Sequence, residues 1–245
     1  MWERIQKYHV IHVRATPASG KSTLSRLLMR HVKRERPGLT VKWCTWPTRF
    51  QEKLGCGYDS YSTVLSHLFE IPPNREINWL EWPVVLIIDE AQESYDCENF
   101  WNGFIKSISP THPCMVILFS SWGSATSKSE ANTATPVIFE PEQRISIRPL
   151  HASDPAVFFT YAEFLDVVER LKIYESRYGQ AFLPDKDVID YIWELTNGHP
   201  SATRVILSLL AESEVSILMD TYTILTLTGV SWYRRYALSV KAALR

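Results

Sequence analysis

Lys21 and Ser22 close a run of small residues, Ala15-Thr16-Pro17-Ala18-Ser19-Gly20-Lys21-Ser22-Thr23. A polyphosphate needs several N–H donors converging on it. A loop wrapped onto the first turn of a helix supplies them, and the helix N-terminus adds partial positive charge. Thr16, Pro17, Ala18, Ser19, Gly20, Lys21, Ser22 and Thr23 therefore form a candidate phosphate cradle. Gly20 lets the backbone come close. The Lys21 ammonium would reach the β- and γ-phosphates of a nucleotide, and the Ser22 hydroxyl would be a ligand for Mg²⁺. The pattern ordinarily opens on glycine; Ala15 stands there instead. Its small Cβ is accommodated if that residue keeps a negative φ.

The acidic counterpart is Asp89-Glu90, which ends the run Val84-Val85-Leu86-Ile87-Ile88. Such a continuous aliphatic run reads as a strand buried on both faces of a parallel sheet. Carboxylates at its C-terminal end lie on the edge where open α/β sheets take ligands. In that chemistry Asp89 holds Mg²⁺, mostly through water, and Glu90 polarises the water that attacks the γ-phosphate. A second apolar run, Cys114 to Phe119, leads into Ser120-Ser121-Trp122-Gly123. Ser120 or Ser121 could sense the γ-phosphate there, and an ordinary strand-to-loop exit fits equally well. Arg144 and Arg148 flank Ile145-Ser146-Ile147; either could reach a phosphate in its own subunit or a neighbour's, and plain surface arginines fit too.

The elements that must position these groups follow from periodicity and punctuation. Trp2 to Lys7 is a lead-in, and Tyr8 to Val13 a first strand, in which His9 and His12 point to opposite faces. A helix from Ser22 to about Arg34 carries Leu24, Leu27, Leu28 and His31 on one face, and Pro37-Gly38 stops it. Leu39 to Trp46 is a second strand, residues 51–60 a loop, and Ser60 to Glu70 a helix; Trp79 and Trp82 are packing residues. Asp96 can cap a helix to about Ser109 with the apolar stripe Phe100, Trp101, Phe104, Ile105 and Ile108. Ser124 to Thr135 is small and polar and reads as mobile. From about Asp154 helical periodicity dominates: Tyr161 to Tyr178, Lys186 to Leu195, a stop at Thr196-Asn197-Gly198, and a new helix opening at His199-Pro200-Ser201. The reading is an α/β fold: a parallel-sheet core over residues 1–150, an α-helical lid over 151–212, and a C-terminal extension, 213–245, that shows no clear pattern.

Bulk properties narrow the function classes. The chain of 245 residues has a formal net charge of −1, which argues against a large groove tracking a nucleic-acid backbone. The four cysteines have no metal-ligand or redox spacing. The sequence has neither a signal peptide nor a long apolar span, so the expectation is a soluble, intracellular protein with no membrane partner. Because the first strand begins within a few residues of Met1, the chain is expected to be a domain cut from a longer protein.

Four motifs now stand in one order: Ala-Thr-Pro-Ala-Ser-Gly-Lys-Ser (15–22), Leu-Ile-Ile-Asp-Glu-Ala-Gln (86–92), Ile-Leu-Phe-Ser-Ser-Trp-Gly-Ser (117–124) and Leu-Thr-Asn-Gly-His-Pro (195–200). Together they resemble the AAA-like and STAND-like phosphate-loop ATPases. More narrowly, the sequence from residue 8 to about 212 resembles the NTPase domain of Crinkler-type effector proteins of filamentous pathogens and symbionts. The resemblance implies that Gly198-His199-Pro200 opens a lid helix against bound nucleotide, with Pro200 on the base and His199 approaching the phosphates. It also implies a secreted effector acting in a host cell, in its nucleus, with a nuclease-like domain beyond the ATPase. Two positions depart from the pattern: Ala15, and the end of the Ser120-Ser121 strand, where many STAND proteins carry an arginine.

The reading that joins these strands is a Mg²⁺-dependent ATPase whose lid, moving through Pro200, couples nucleotide state to a partner surface, with a homo-oligomer, host protein or DNA as partner. A nucleotide-dependent assembly switch with negligible turnover uses the same motifs. A small-molecule kinase needs several lid arginines around the transferred phosphate, and Arg170, Arg177 and Arg204 lie dispersed on different helices. A nucleic-acid motor has little charge to work with outside Arg234, Arg235 and Lys241 near the end.

Overall fold

A computed structural model of the chain describes residues 1–47, 61–72, 77–95, 97–121, 137–149, 151, 154–177 and 184–212. The expected loop at 51–60, the Asp96 cap, the polar segment 124–135 and the extension 213–245 lie outside the described residues. The chain forms two compact units, Met1–Val157 and Phe158–Arg245.

The first unit is an α/β layer structure built on five parallel strands: β1 (Val10–Arg14), β2 (Thr40–Thr45), β3 (Val84–Asp89), β4 (Met115–Ser120) and β5 (Arg144–Ile145), in the order β2-β3-β4-β1-β5. From β1 the chain runs out to the edge at β2. It returns strand by strand through β3 and β4, then passes to the far side of β1 for β5. As a result β4 stands between the strand that leads into the small-residue loop and the strand that ends in Asp89. Alternation of side chains divides the core in two. On one face Val10, Val84, Leu86, Ile88, Val116 and Leu118 pack against α3 (Tyr61–Leu68) and the segment around Phe100 and Phe104. On the other, Ile11, Val13, Val85, Ile87, Ile117 and Phe119 pack against α1 (Trp2–Tyr8) and α2 (Lys21–Glu35). Strand β3 is buried throughout, as its unbroken aliphatic run requires. Trp79 is buried, with its Nε1 donating to Ser62 Oγ at 3.1 Å, and its ring lies against Phe69 and Trp82. Cys44, Cys97 and Cys114 are buried free thiols; burial pushes Cys44 and Cys114 up to about 12.

Several local expectations need correction. The lead-in is the helix α1, and Tyr8 belongs to it rather than to the strand. Its C-cap is His9 in the left-handed region (φ 60), so His9 precedes β1 and is not paired with His12 across its faces. The inward face of α2 is Lys21, Ser25, Leu28 and Val32, with Leu27 53% exposed. The segment expected as one α-helix to Ser109 is a π-helical turn, Asn99–Phe104, followed by a 3₁₀ turn, Ile105–Ser107. The wider π turn brings the adjacent pairs Phe100-Trp101 and Phe104-Ile105 all into the core. The last strand is Arg144–Ile145, which begins one residue before the expected Ile145–Ile147 and ends two before it.

The second unit, among its described residues, holds α4 (Tyr161–Arg177), α5 (Lys186–Thr196) and α6 (Pro200–Glu212). Phe164, Val168, Ile189, Ile192, Ile206 and Leu207 form its core. Asn197 at φ 48 and Gly198 at φ 75 turn the chain between α5 and α6, the left-handed exit that the Thr196-Asn197-Gly198 stop requires.

Candidate functional site

The loop between β1 and α2 carries two left-handed residues, Ala18 (φ 59) and Gly20 (φ 87). Ala15 is outside that region, so its Cβ brings no backbone strain. Its N–H is committed to the Ser120 carbonyl at 3.2 Å, which pins the base of the loop to the end of β4. No side chain caps the N-terminus of α2. Thr16, Pro17, Ala18 and Thr23 are exposed, Gly20 and Ser22 half-buried, and Ser19 and Lys21 buried.

One feature marks this loop as built around something. The Ser19 hydroxyl is the one buried side-chain polar atom that has no hydrogen-bond partner among the described residues. A buried orphan of this kind calls for a missing partner. The Lys21 ammonium, by contrast, is folded onto the loop: Nζ donates to the Ala15 carbonyl at 3.2 Å and the Thr16 carbonyl at 2.7 Å. Burial lowers its proton affinity, and the Glu90 and Asp89 carboxylates work in the opposite direction. The Lys21 ammonium thus feels the charge of both carboxylates.

Asp89 ends β3 and is buried; its Oδ1 accepts the Glu90 N–H at 3.1 Å. Glu90 is half-buried and left-handed (φ 55). That turn breaks the strand and starts the 3₁₀ turn Ala91–Ser94, whose Glu93 N–H donates to the Glu90 carbonyl at 3.0 Å.

The two serines after β4 differ. The Ser120 hydroxyl is fully buried and bonded to His12 Nε2 at 2.7 Å and to the Tyr95 hydroxyl. Its carbonyl, rather than its side chain, serves the loop. Ser121 is half-buried at the strand end, and its N–H donates to Gln92 Oε1 at 2.9 Å. No role for Gln92 follows from the sequence alone. It is nearly fully buried, and its Nε2 donates to Glu90 Oε2. The signal was present as a glutamine two residues after the second carboxylate. A left-handed Glu90 is needed to bring that side chain back, and the sequence does not announce one.

Arg144 is exposed and donates to the Phe139 carbonyl, Nε at 2.8 Å. It serves its own loop. His199 and Pro200 lie in the second unit. Pro200 is the first residue of α6, and His199 Nδ1 accepts the Ala202 N–H at 3.3 Å. The His199 ring packs on Phe158 at 4.8 Å. This is a helix cap of the kind that a His-Pro-Ser start favours.

The residues suit a nucleotide with its metal: Ser22 and Asp89 offer the hard oxygen donors that Mg²⁺ takes, and the loop offers uncapped N–H groups and a lysine. No helix among the described residues is long and apolar enough to cross a membrane.

No family model matches the sequence, and no curated protein matches it. Among solved structures, domain III of the replication initiation protein DnaA from Thermotoga maritima is similar to this chain. The two share 13% identity over 95% of this chain and 84% of that one, with a TM-score of 0.42.

Proposed function

We propose that the chain binds ATP with Mg²⁺ at the β1–α2 loop and hydrolyses it. The observation that carries this reading is the convergence of a buried lysine, two carboxylates and an orphaned loop hydroxyl at one edge of a parallel sheet. Loop N–H groups and the Lys21 ammonium hold the phosphates. Ser22 and Asp89 hold the metal, which when bound would offset charge building on the phosphate oxygens. Ser121 lies at the end of the intervening strand, placed to report the γ-phosphate. Glu90 polarises the attacking water. The water oxygen bonds to the γ-phosphorus as the bond to the bridging oxygen breaks. ADP leaves with that electron pair, and Glu90 takes the water's proton. Asp89 and Lys21 accompany the reaction without exchanging protons.

Binding of ATP requires Lys21 to leave the Ala15 and Thr16 carbonyls, where it is now held. A second reading uses the same residues: a nucleotide switch that binds ATP and turns over slowly until a partner assists. The motif resemblance suggests the NTPase module of a Crinkler-type effector working in a host cell. Equilibrium binding of Mg²⁺–ATP to the parent and to Lys21→Ala tests the site: unchanged affinity in the variant refutes it. Steady-state phosphate release separates the ATPase from the switch.

A further inference from the structure

The Gln92 amide joins two pieces of the site, Glu90 and Ser121, that lie far apart in the sequence. Its Oε1 accepts the Ser121 N–H at 2.9 Å, and its Nε2 donates to Glu90 Oε2. Neither end is interchangeable. A backbone N–H can only donate, so the amide oxygen must face Ser121; a carboxylate can only accept, so the amide nitrogen must face Glu90. A glutamate at this position could satisfy Ser121 and would set a second carboxylate against Glu90. A leucine could fill the space and satisfy neither. Glutamine is the side chain of this length that fits both.

The turn that carries Gln92 is itself anchored. Ser94 is fully buried, and its Oγ donates to the Ala91 carbonyl at 2.6 Å. Trp101 Nε1 donates to the Ser94 carbonyl at 2.9 Å from within the aromatic core. The amide is thus held on a rigid support, the arrangement that precise placement of a reacting group needs.

We propose that Gln92 is a positioning residue that locks the Glu90 carboxylate to the tip of β4, so that the water-polarising group and the strand end placed to sense the γ-phosphate move as one body. The proposal rests on the reading of Glu90 given above. It makes the Ser121 backbone, rather than the Ser120 or Ser121 hydroxyl, the structural link between the β4 tip and hydrolysis. Any displacement of that tip when a γ-phosphate arrives or leaves is passed to Glu90 through one amide.

The experiment has two parts. In steady-state turnover, Gln92→Leu lowers kcat on the order of 10²-fold, the scale of a misplaced reacting group, while the dissociation constant for Mg²⁺–ATP stays within about threefold. Gln92→Glu keeps the volume and the acceptor for Ser121 but sets two carboxylates together, and kcat falls by a similar factor with the dissociation constant again nearly unchanged. If kcat and nucleotide affinity fall together, or if Gln92→Glu leaves kcat at the parent value, the positioning role is overturned. The second part needs no turnover. In the nucleotide-free protein, amide hydrogen exchange at Ser121 speeds up about fivefold or more in Gln92→Leu, the worth of one lost hydrogen bond. It also speeds up in Glu90→Ala, which touches Ser121 only through the amide. Ser121 exchange that responds to Gln92→Leu and not to Glu90→Ala refutes the link. If the parent binds ATP without hydrolysing it, the enzymatic reading fails by itself, and the exchange measurement still decides whether the bridge exists.

Discussion

Acidification should destabilise this fold through one buried imidazole. His12 is 3% exposed, bonded through Nε2 to Ser120 Oγ at 2.7 Å, with its ring centroid 5.1 Å from that of Phe139 and 6.2 Å from that of Trp101. Burial first, and then the Arg14 and Arg144 guanidiniums, hold it down to about 3 from an ordinary 6.5. The folded value lies below the unfolded one, so between the two the unfolded chain binds more protons. His12 therefore contributes stability that is complete above the unfolded value and is lost as pH falls through the window from 6.5 toward 3. A tenfold change in proton affinity is worth about 1.4 kcal/mol. Taking the unfolded imidazole alone, lowering the pH from 7 to 5 costs about 2 kcal/mol, a large part of a typical domain stability of about 5–15 kcal/mol. The assay is urea denaturation of the parent and His12→Gln at both pH values. Glutamine keeps a polar group within reach of Ser120 and does not titrate. The variant is expected to be the less stable protein at pH 7 and to lose about 2 kcal/mol less than the parent on acidification. Equal losses in the two proteins would refute the assignment of a neutral, buried His12.

Other expectations follow from single contacts. Lys21→Met should weaken Mg²⁺–ATP binding about 10- to 100-fold by removing charge-assisted bonds to phosphate, with the far-ultraviolet spectrum unchanged; isothermal titration checks this. Gly198→Ala should cost about 2–4 kcal/mol, because φ there is +75 and a Cβ would collide with the Phe159 carbonyl oxygen and crowd Trp193. Thermal or urea unfolding of the variant measures it. Phe104→Ala should cost about 3–5 kcal/mol, since Phe104 is fully buried between Phe100 and Tyr61.

What could be read from the sequence was what tertiary structure reinforces. The Val84–Asp89 strand was legible because a strand covered on both faces needs no alternation, and its carboxylates had to fall at its end. The loop was legible because glycine, lysine and serine each have a separate reason to be there. The inward face of α2 was not. Its rotation is set by the loop, which turns Lys21 inward onto the loop carbonyls, and by the bond of Trp43 Nε1 to Ser25 Oγ at 3.0 Å. Those polar anchors override the leucine stripe and leave Leu27 outside. Helix α1 was hidden because only Ile5 among its residues is fully buried, and one buried residue makes no period. The π turn at Asn99–Phe104 was hidden because its apolar residues also fit a helix of ordinary pitch. Gln92 stands two residues after the carboxylate pair that ends β3. Its role depends on the left-handed Glu90 and on a partner across the sheet, and neither is a property of neighbouring residues.

The most direct test is steady-state phosphate release from Mg²⁺–ATP by the parent and by Glu90→Gln, with ATP binding measured in both. The account expects turnover in the parent and its loss in Glu90→Gln while ATP still binds. Equal turnover in the two proteins would contradict the role of Glu90, and a parent that does not bind ATP would contradict the site itself.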